Sequence, residues 1–174
     1  GIAPVEPEVA EICAAAAQSF TDLGTKVEEA CPDFTGAQEM FQTLRGVSFV
    51  AGHRVHMQEN RDQLKPEVIW NYEHGASLSI EDVADAKRTR GRLQTNMCDF
   101  FETYDLLVTP TVMTAPFPVE VRYLDEVAGV KFDNYVDWLM HTFVITPTGC
   151  PAVSVPFGFT KDGLPVGLQI IGRR

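Results

Sequence analysis

Cys150 stands in the loop Thr146-Pro147-Thr148-Gly149-Cys150-Pro151, directly ahead of a β-rich run. A thiol there could act as a nucleophile, which requires a base in reach and surroundings that favour the thiolate. The sequence signals neither, and a small buried thiol is the commoner role. Gly149 permits close backbone approach, with the hydroxyls of Thr146 and Thr148 nearby. Loops of this composition suit the rim of a site. Gln169 lies between Leu168 and Ile170 in an otherwise apolar run. A buried amide there needs partners, either loop backbone or a ligand in a pocket, and the backbone reading is the simpler. His53 and His56 are three apart on a helical stretch. Without a third ligand they are a weak metal signal and are read as helix-surface residues; no metal is expected. Lys87, Arg88, Arg90 and Arg92 form a short basic run, read as a solvated face, with an anion site as the alternative. His74 and His141 are isolated and receive no role. There is no G-x-S-x-G elbow, phosphate loop, G-x-G-x-x-G or H-E-x-x-H.

The elements that must carry these residues follow from apolar spacing. Pro4 to Leu23 reads as a helix, with Pro7 in its first turn, a stripe of Val9, Ile12, Cys13, Ala16, Phe20 and Leu23, and Gly24 to end it. Thr25 to Glu29 is expected as a short strand. Thr35 and Gln38 have capping-box spacing ahead of a helix to about Gln58. Its stripe is Met40, Leu44, Val47, Ala51 and Val55, and Gly46 and Gly52 are expected to pack closely on a neighbour. Ser79 to Tyr104 is a further helix, with Ser79 as cap and Asp82 three residues on. Asp105 to Thr109 reads as a buried strand stopped by Pro110, and Thr111 to Pro118 as an irregular loop. Val119 to Phe132 yields no clear pattern, and Asp133 to Phe143 looks helical. The chain closes on a hairpin, Ala152 to Phe159 and Leu164 to Ile171, around Thr160-Lys161-Asp162-Gly163. These elements define an α/β fold, a mixed β-sheet covered by helices that ends in a β-hairpin.

Composition narrows the partners. A formal net charge of −10 disfavours nucleic acid and anionic membrane surfaces. No apolar run reaches the roughly 20 residues of a membrane span, and no signal peptide is evident. Cys13, Cys31, Cys98 and Cys150 form no C-x-x-C pair and read as free thiols in a reducing compartment, so a cytoplasmic location is expected.

Pro147-Thr148-Gly149-Cys150-Pro151-Ala152-Val153-Ser154-Val155-Pro156 and Gly163-Leu164-Pro165-Val166-Gly167-Leu168-Gln169-Ile170-Ile171-Gly172-Arg173 together resemble the amidase signature family. So do Tyr104-Asp105-Leu106-Leu107-Val108-Thr109-Pro110-Thr111, Ala115-Pro116 and the opening helix. Gly75 to Arg92 is similar more loosely; Gly36 to Glu73 and Phe117 to Asp133 match poorly and are the stretches expected to vary with substrate. The resemblance implies hydrolysis of a carboxylic amide by a Ser, a bridging Ser in a cis peptide and a Lys, with no cofactor. No Gly-Gly or Ser-Ser dipeptide occurs here, and none of Lys26, Lys65, Lys87, Lys131 or Lys161 stands in the family's Lys motif, so the triad is assigned to no residue of this chain. Residues 1–174 are accordingly expected to be the C-terminal portion of a single amidase signature domain, truncated at both ends. Its expected partners are a small-molecule amide and the remainder of the amidase chain, with homo-oligomerisation left open. The resemblance also implies a substrate-pocket wall made of Thr109, Thr111, Thr146, Thr148, Gly149 and Cys150, to which the pocket reading of the Gln169 amide adds Gln169. Two other readings stand beside it: a non-catalytic binding or scaffold domain of the same fold, and a thiol hydrolase using Cys150.

Overall fold

The computed structural model describes residues 2–174. Helix α1 (Pro7–Gln18) starts three residues later than expected, with Pro7 and Glu8 in its first turn, and continues as a 3₁₀ turn over Ser19–Leu23 that ends at Gly24. Val9, Cys13 and Ala16 are buried, but Leu23 points outward, because the tighter 3₁₀ turn rotates it off the α-helical stripe. The chain from Thr25 to Glu29, expected as a strand, has no regular structure. A single apolar residue, Val27, cannot hold a strand without a sheet edge to pair with.

Helix α2 (Ala37–Glu59) is capped differently from the expectation. Its N-cap is Gly36 at φ 77°, and no side chain caps it. Asp33 takes the backbone N–H of Thr35 instead (2.9 Å), and Gln38 turns inward to Asp137 (2.8 Å). Only Met40 of the expected stripe is buried; Leu44 is half-buried, whereas Val47, Ala51 and Val55 are exposed. The helix α3 (Pro66–Ser77), which apolar spacing does not announce, lies against α2. The two approach backbone to backbone: a Cβ on Gly46 would stand 2.8 Å from the Cα of Gly75. The expected close packing therefore holds at Gly46; at Gly52 it does not, since a Cβ there meets open space.

Helix α4 (Ile80–Thr103) carries the complete capping box, with the Ser79 hydroxyl accepting from the Asp82 N–H (3.1 Å) and the Asp82 carboxylate accepting from the Ser79 N–H (2.8 Å). Ala86, Leu93, Met97 and Phe101 are its buried face. Strand β1 (Leu106–Pro110) follows. The unassigned stretch contains a minimal hairpin, β2 (Glu126–Val127) and β3 (Val130–Lys131). The helix expected from Asp133 begins only as a 3₁₀ turn at Asp137–Leu139 and a short α5 (Met140–Phe143). Strands β4 (Ala152–Phe159) and β5 (Pro165–Gly172) form the expected hairpin.

The three longer strands make an antiparallel sheet in the order β1-β5-β4. Alternation along β5 divides the core in two. Val166 and Leu168 face α1, with Val9, Cys13 and Ala16. Ile171 faces the other way, into a cluster with Met97, Phe101, Val136 and Phe143. Helices thus cover both faces of the sheet.

Candidate functional site

Gln169 is the centre of a polar stripe across the sheet. It pairs in register with Thr109 of β1 and Ser154 of β4, so all three side chains share one face. Its amide nitrogen donates to the Thr109 hydroxyl and to the carbonyl of His141, both at 3.2 Å. The buried amide is therefore satisfied by a strand hydroxyl and by the backbone of α5, where a loop carbonyl was expected. Thr111 lies two residues further along the same face. Its N–H donates to the Gly167 carbonyl (3.0 Å), and its hydroxyl shares a 2.7 Å hydrogen bond with Ser154. A Cβ on Gly167 would come within 2.9 Å of both hydroxyl oxygens, so this pair needs glycine beneath it. Ser154 belongs to the stripe yet is absent from the sequence-based set. Its membership depends on the β4–β5 register, which the hairpin turn specifies only once the strands are paired.

The loop Thr146–Cys150 stands at the other end of the strands. The Gly172 N–H donates to Pro151 there (3.0 Å), while Thr111 is level with Gly167. That five-residue separation along β5 corresponds to about 17 Å. The loop is ordered by its own hydroxyls and by α4. Thr148 is buried; its hydroxyl donates to Ile145 (2.6 Å) and accepts from the Cys150 N–H (3.2 Å). Thr146 donates to Thr142 (3.1 Å), and Gly149 turns the chain at φ 75°. The Pro147 carbonyl accepts from Gln94 (3.0 Å) and Arg90 (3.3 Å). The structure thus brings together Thr109 and Gln169 at mid-sheet, places Thr111 with Ser154 at one end, and holds Thr146, Thr148, Gly149 and Cys150 at the other. Cys150 packs against the larger core cluster.

Along the free edge of β1 runs an apolar groove of about 710 Å³. Cys13, Cys31, Phe34, Leu107, Thr109 and His141 contribute to its lining. Burial pushes both the Cys13 and Cys31 thiols up, which disfavours the thiolate. Burial pushes the His141 imidazole down, and its Nδ1 has no hydrogen-bond partner among the described residues. His53 and His56 have ring centroids 6.2 Å apart, and no group of three metal-binding side chains occurs among the described residues.

A second polar node is absent from sequence reasoning altogether. Asp137 is buried and accepts from Gln38 and Gln42 of α2 (both 2.8 Å) and from Asn134 (3.1 Å). No cation pairs with it among the described residues. Its partners lie as far as 99 residues away, so no local motif could have revealed it. No helix of the described residues is long and apolar enough to cross a membrane.

The profile of the amidase family matches residues 2–174. An acylamidase of Rhodococcus erythropolis is 32% identical over 176 residues, covering 99% of this chain and 37% of that protein. A glutamyl-tRNA(Gln) amidotransferase polypeptide of Lacticaseibacillus casei (strain BL23) is 29% identical, covering 97% of this chain and 39% of its own length. Among solved structures, a bacterial aryl acylamidase of the amidase signature family superposes with a TM-score of 0.84 at 24% identity, over 98% of this chain and 38% of that one. The chain therefore spans less than two-fifths of the length of these relatives.

Proposed function

This chain belongs to the amidase signature family, and on that premise we propose that it is the C-terminal portion of one amidase domain in an enzyme that hydrolyses carboxylic amides. The Ser–cis-Ser–Lys triad of that enzyme lies outside this chain. What this chain supplies is sheet and substrate-pocket wall: Thr109, Thr111 and Gln169 on the sheet face, with Thr146, Thr148, Gly149 and Cys150 in the loop.

The observation that carries the reading is the free edge of β1 beside a large apolar groove. An unpaired strand edge and exposed apolar surface are costly, and further strands of the same domain would relieve both. The wall assignment draws support from the satisfied hydrogen bonding of its residues. Thr148 and Gln169 commit their donors to the protein, so they hold a surface in shape rather than enter the chemistry. A hydroxyl attacking an unactivated amide requires a base and oxyanion donors, which the rest of the domain would provide.

The test compares the intact product of the parent gene with residues 1–174 alone, using turnover of a small aryl amide. Hydrolysis by the intact protein, together with an inactive, self-associating isolated chain, is the expected result. A gene product no larger than this chain that folds as a clean monomer without turnover would overturn it. Within an active enzyme, Thr148→Phe is expected to change the ratio of kcat/KM between a small and a bulky amide; an unchanged ratio would remove the loop from the wall.

A further inference from the structure

Arg61, Arg88, Arg92 and Arg122 each meet a carboxylate. Among the described residues Arg45, Arg54, Arg90, Arg173 and Arg174 do not, although the chain has 24 acidic residues against 14 basic ones; of these five, Arg45 and Arg90 share a cavity. Both line one cavity of about 310 Å³, walled by Met40, Phe41, Leu44 and Phe49 of α2 and by the loop residues Thr146 and Pro147.

Arg45 is held in place by neutral groups. Its Nε donates to the Asn71 carbonyl oxygen (3.0 Å), and its Nη2 donates to the Tyr135 hydroxyl. Its guanidinium carbon lies 4.7 Å from the centroid of Phe49 and 5.7 Å from that of Tyr135. Asn71 is only 1% exposed and is itself fixed by donating to the Glu67 carbonyl (2.7 Å). A nearly fully buried amide is thus committed to aiming a cation that has no counter-ion among the described residues.

The other donors of the lining divide into engaged and free. The hydroxyls of Ser48 and Thr146 donate to the carbonyls of Leu44 (2.9 Å) and Thr142 (3.1 Å). Arg45 Nη1 and both terminal nitrogens of Arg90 make no hydrogen bond to any described residue. The cavity therefore offers two guanidinium groups over an aromatic and aliphatic surface. Guanidinium presents paired N–H groups that match a carboxylate; the half-buried Arg45 gains most from an anion that completes its shell, and the exposed Arg90 adds a second fork.

We propose that the Arg45–Arg90 cavity is a carboxylate subsite, which selects amide substrates that also carry a carboxylate on an apolar or aryl body. The substrate role rests on the amide-hydrolase reading; the binding of the carboxylate does not. The cavity's size and its Phe41 and Phe49 walls suit a single aryl ring, which distinguishes the ligand from inorganic phosphate.

The test uses the intact parent protein and measures the affinity of benzoate, of nitrobenzene as its uncharged isostere, and of inorganic phosphate. Benzoate is expected to bind at least tenfold tighter than either, and more weakly as salt rises. Arg90→Gln leaves the buried Asn71 contact intact and should weaken benzoate at least tenfold without changing nitrobenzene; Arg45→Gln should do the same. Equal binding of benzoate and nitrobenzene, phosphate binding as tight as benzoate, or an R90Q affinity equal to the parent's would each overturn the subsite. In an active enzyme, R90Q should lower kcat/KM for the monoamide of terephthalic acid at least tenfold relative to benzamide. Arginine-dependent benzoate binding in a protein without amide turnover would sink the hydrolase reading and leave the site. Turnover with arginine-independent binding would do the reverse.

Discussion

In the sheet layer, β5 buries Val166, Leu168 and Ile171 on alternating faces, and each face meets a helix through apolar side chains. The pairing of α2 with α3 works otherwise. Its closest approach is backbone on backbone at Gly46 and Gly75, and its firm tie is polar, from Arg45 to the buried Asn71. Large apolar side chains there, Val47, Val55 and Trp70, remain exposed. A layer held by apolar alternation tolerates little change of volume. A pair held by a glycine contact and one buried polar tie can alter its lining residues while keeping its backbone.

This contrast can be broken by mutation. The largest loss is expected in the sheet layer: Ile171→Ala removes a fully buried side chain and should cost about 2–5 kcal/mol, read by urea denaturation. A cost below about 1 kcal/mol would mean that the sheet is not the stability centre. In the helical pair, Gly75→Ala would drive a Cβ to 2.9 Å from the Gly46 Cα and should cost about 1–3 kcal/mol. Gly52→Ala on the same helical pair meets open space and should instead stabilise by about 0.5–1 kcal/mol. If the two alanines behaved alike, glycine content rather than contact would govern the pair. The smallest effect is expected at His141, which joins the layers by accepting Gln169 at its carbonyl while its ring is buried. Burial lowers its folded pKa below the unfolded value of about 6.5, so the unfolded chain binds the proton first. The contribution is complete above that pH and is lost as pH falls through the folded pKa. His141→Asn should flatten this part of the stability–pH curve, measured as the urea midpoint between neutral and mildly acid pH.

Much of the fold was legible because some signals are local. Ser79 and Asp82 lie three residues apart, and no distant residue is needed to satisfy the N–H groups that they cap. The closing hairpin carries its own turn residues, and its strands are neighbours in sequence. Thr35 shows the limit of such reading. It has the right spacing to Gln38, yet Asp33 claims its N–H and Asp137, some hundred residues on, claims the Gln38 amide. Helix α3 escaped because its positions are chosen by contact with α2 and by the Asn71–Arg45 tie, which leaves no continuous apolar stripe. Of the candidate wall, that Gln169 needs protein partners was foreseeable from one amide in an apolar run, but its backbone partner lies in α5 rather than in a loop. The separation of Thr111 from the Thr146–Cys150 loop was not, because it depends on strand register.

The sequence alone thus determined the periods of α1 and α4, the α4 cap, the closing hairpin and the family's characteristic motifs. Each is written in residues close enough to interact before the chain is folded. Tertiary structure alone decided which polar side chains meet. Arg45 with Asn71, Gln38 with Asp137, and Thr109 with Gln169 are separated by 26, 99 and 60 residues. A hydrogen bond acts over about 3 Å, so partners that far apart in sequence are chosen only when packing brings them into reach.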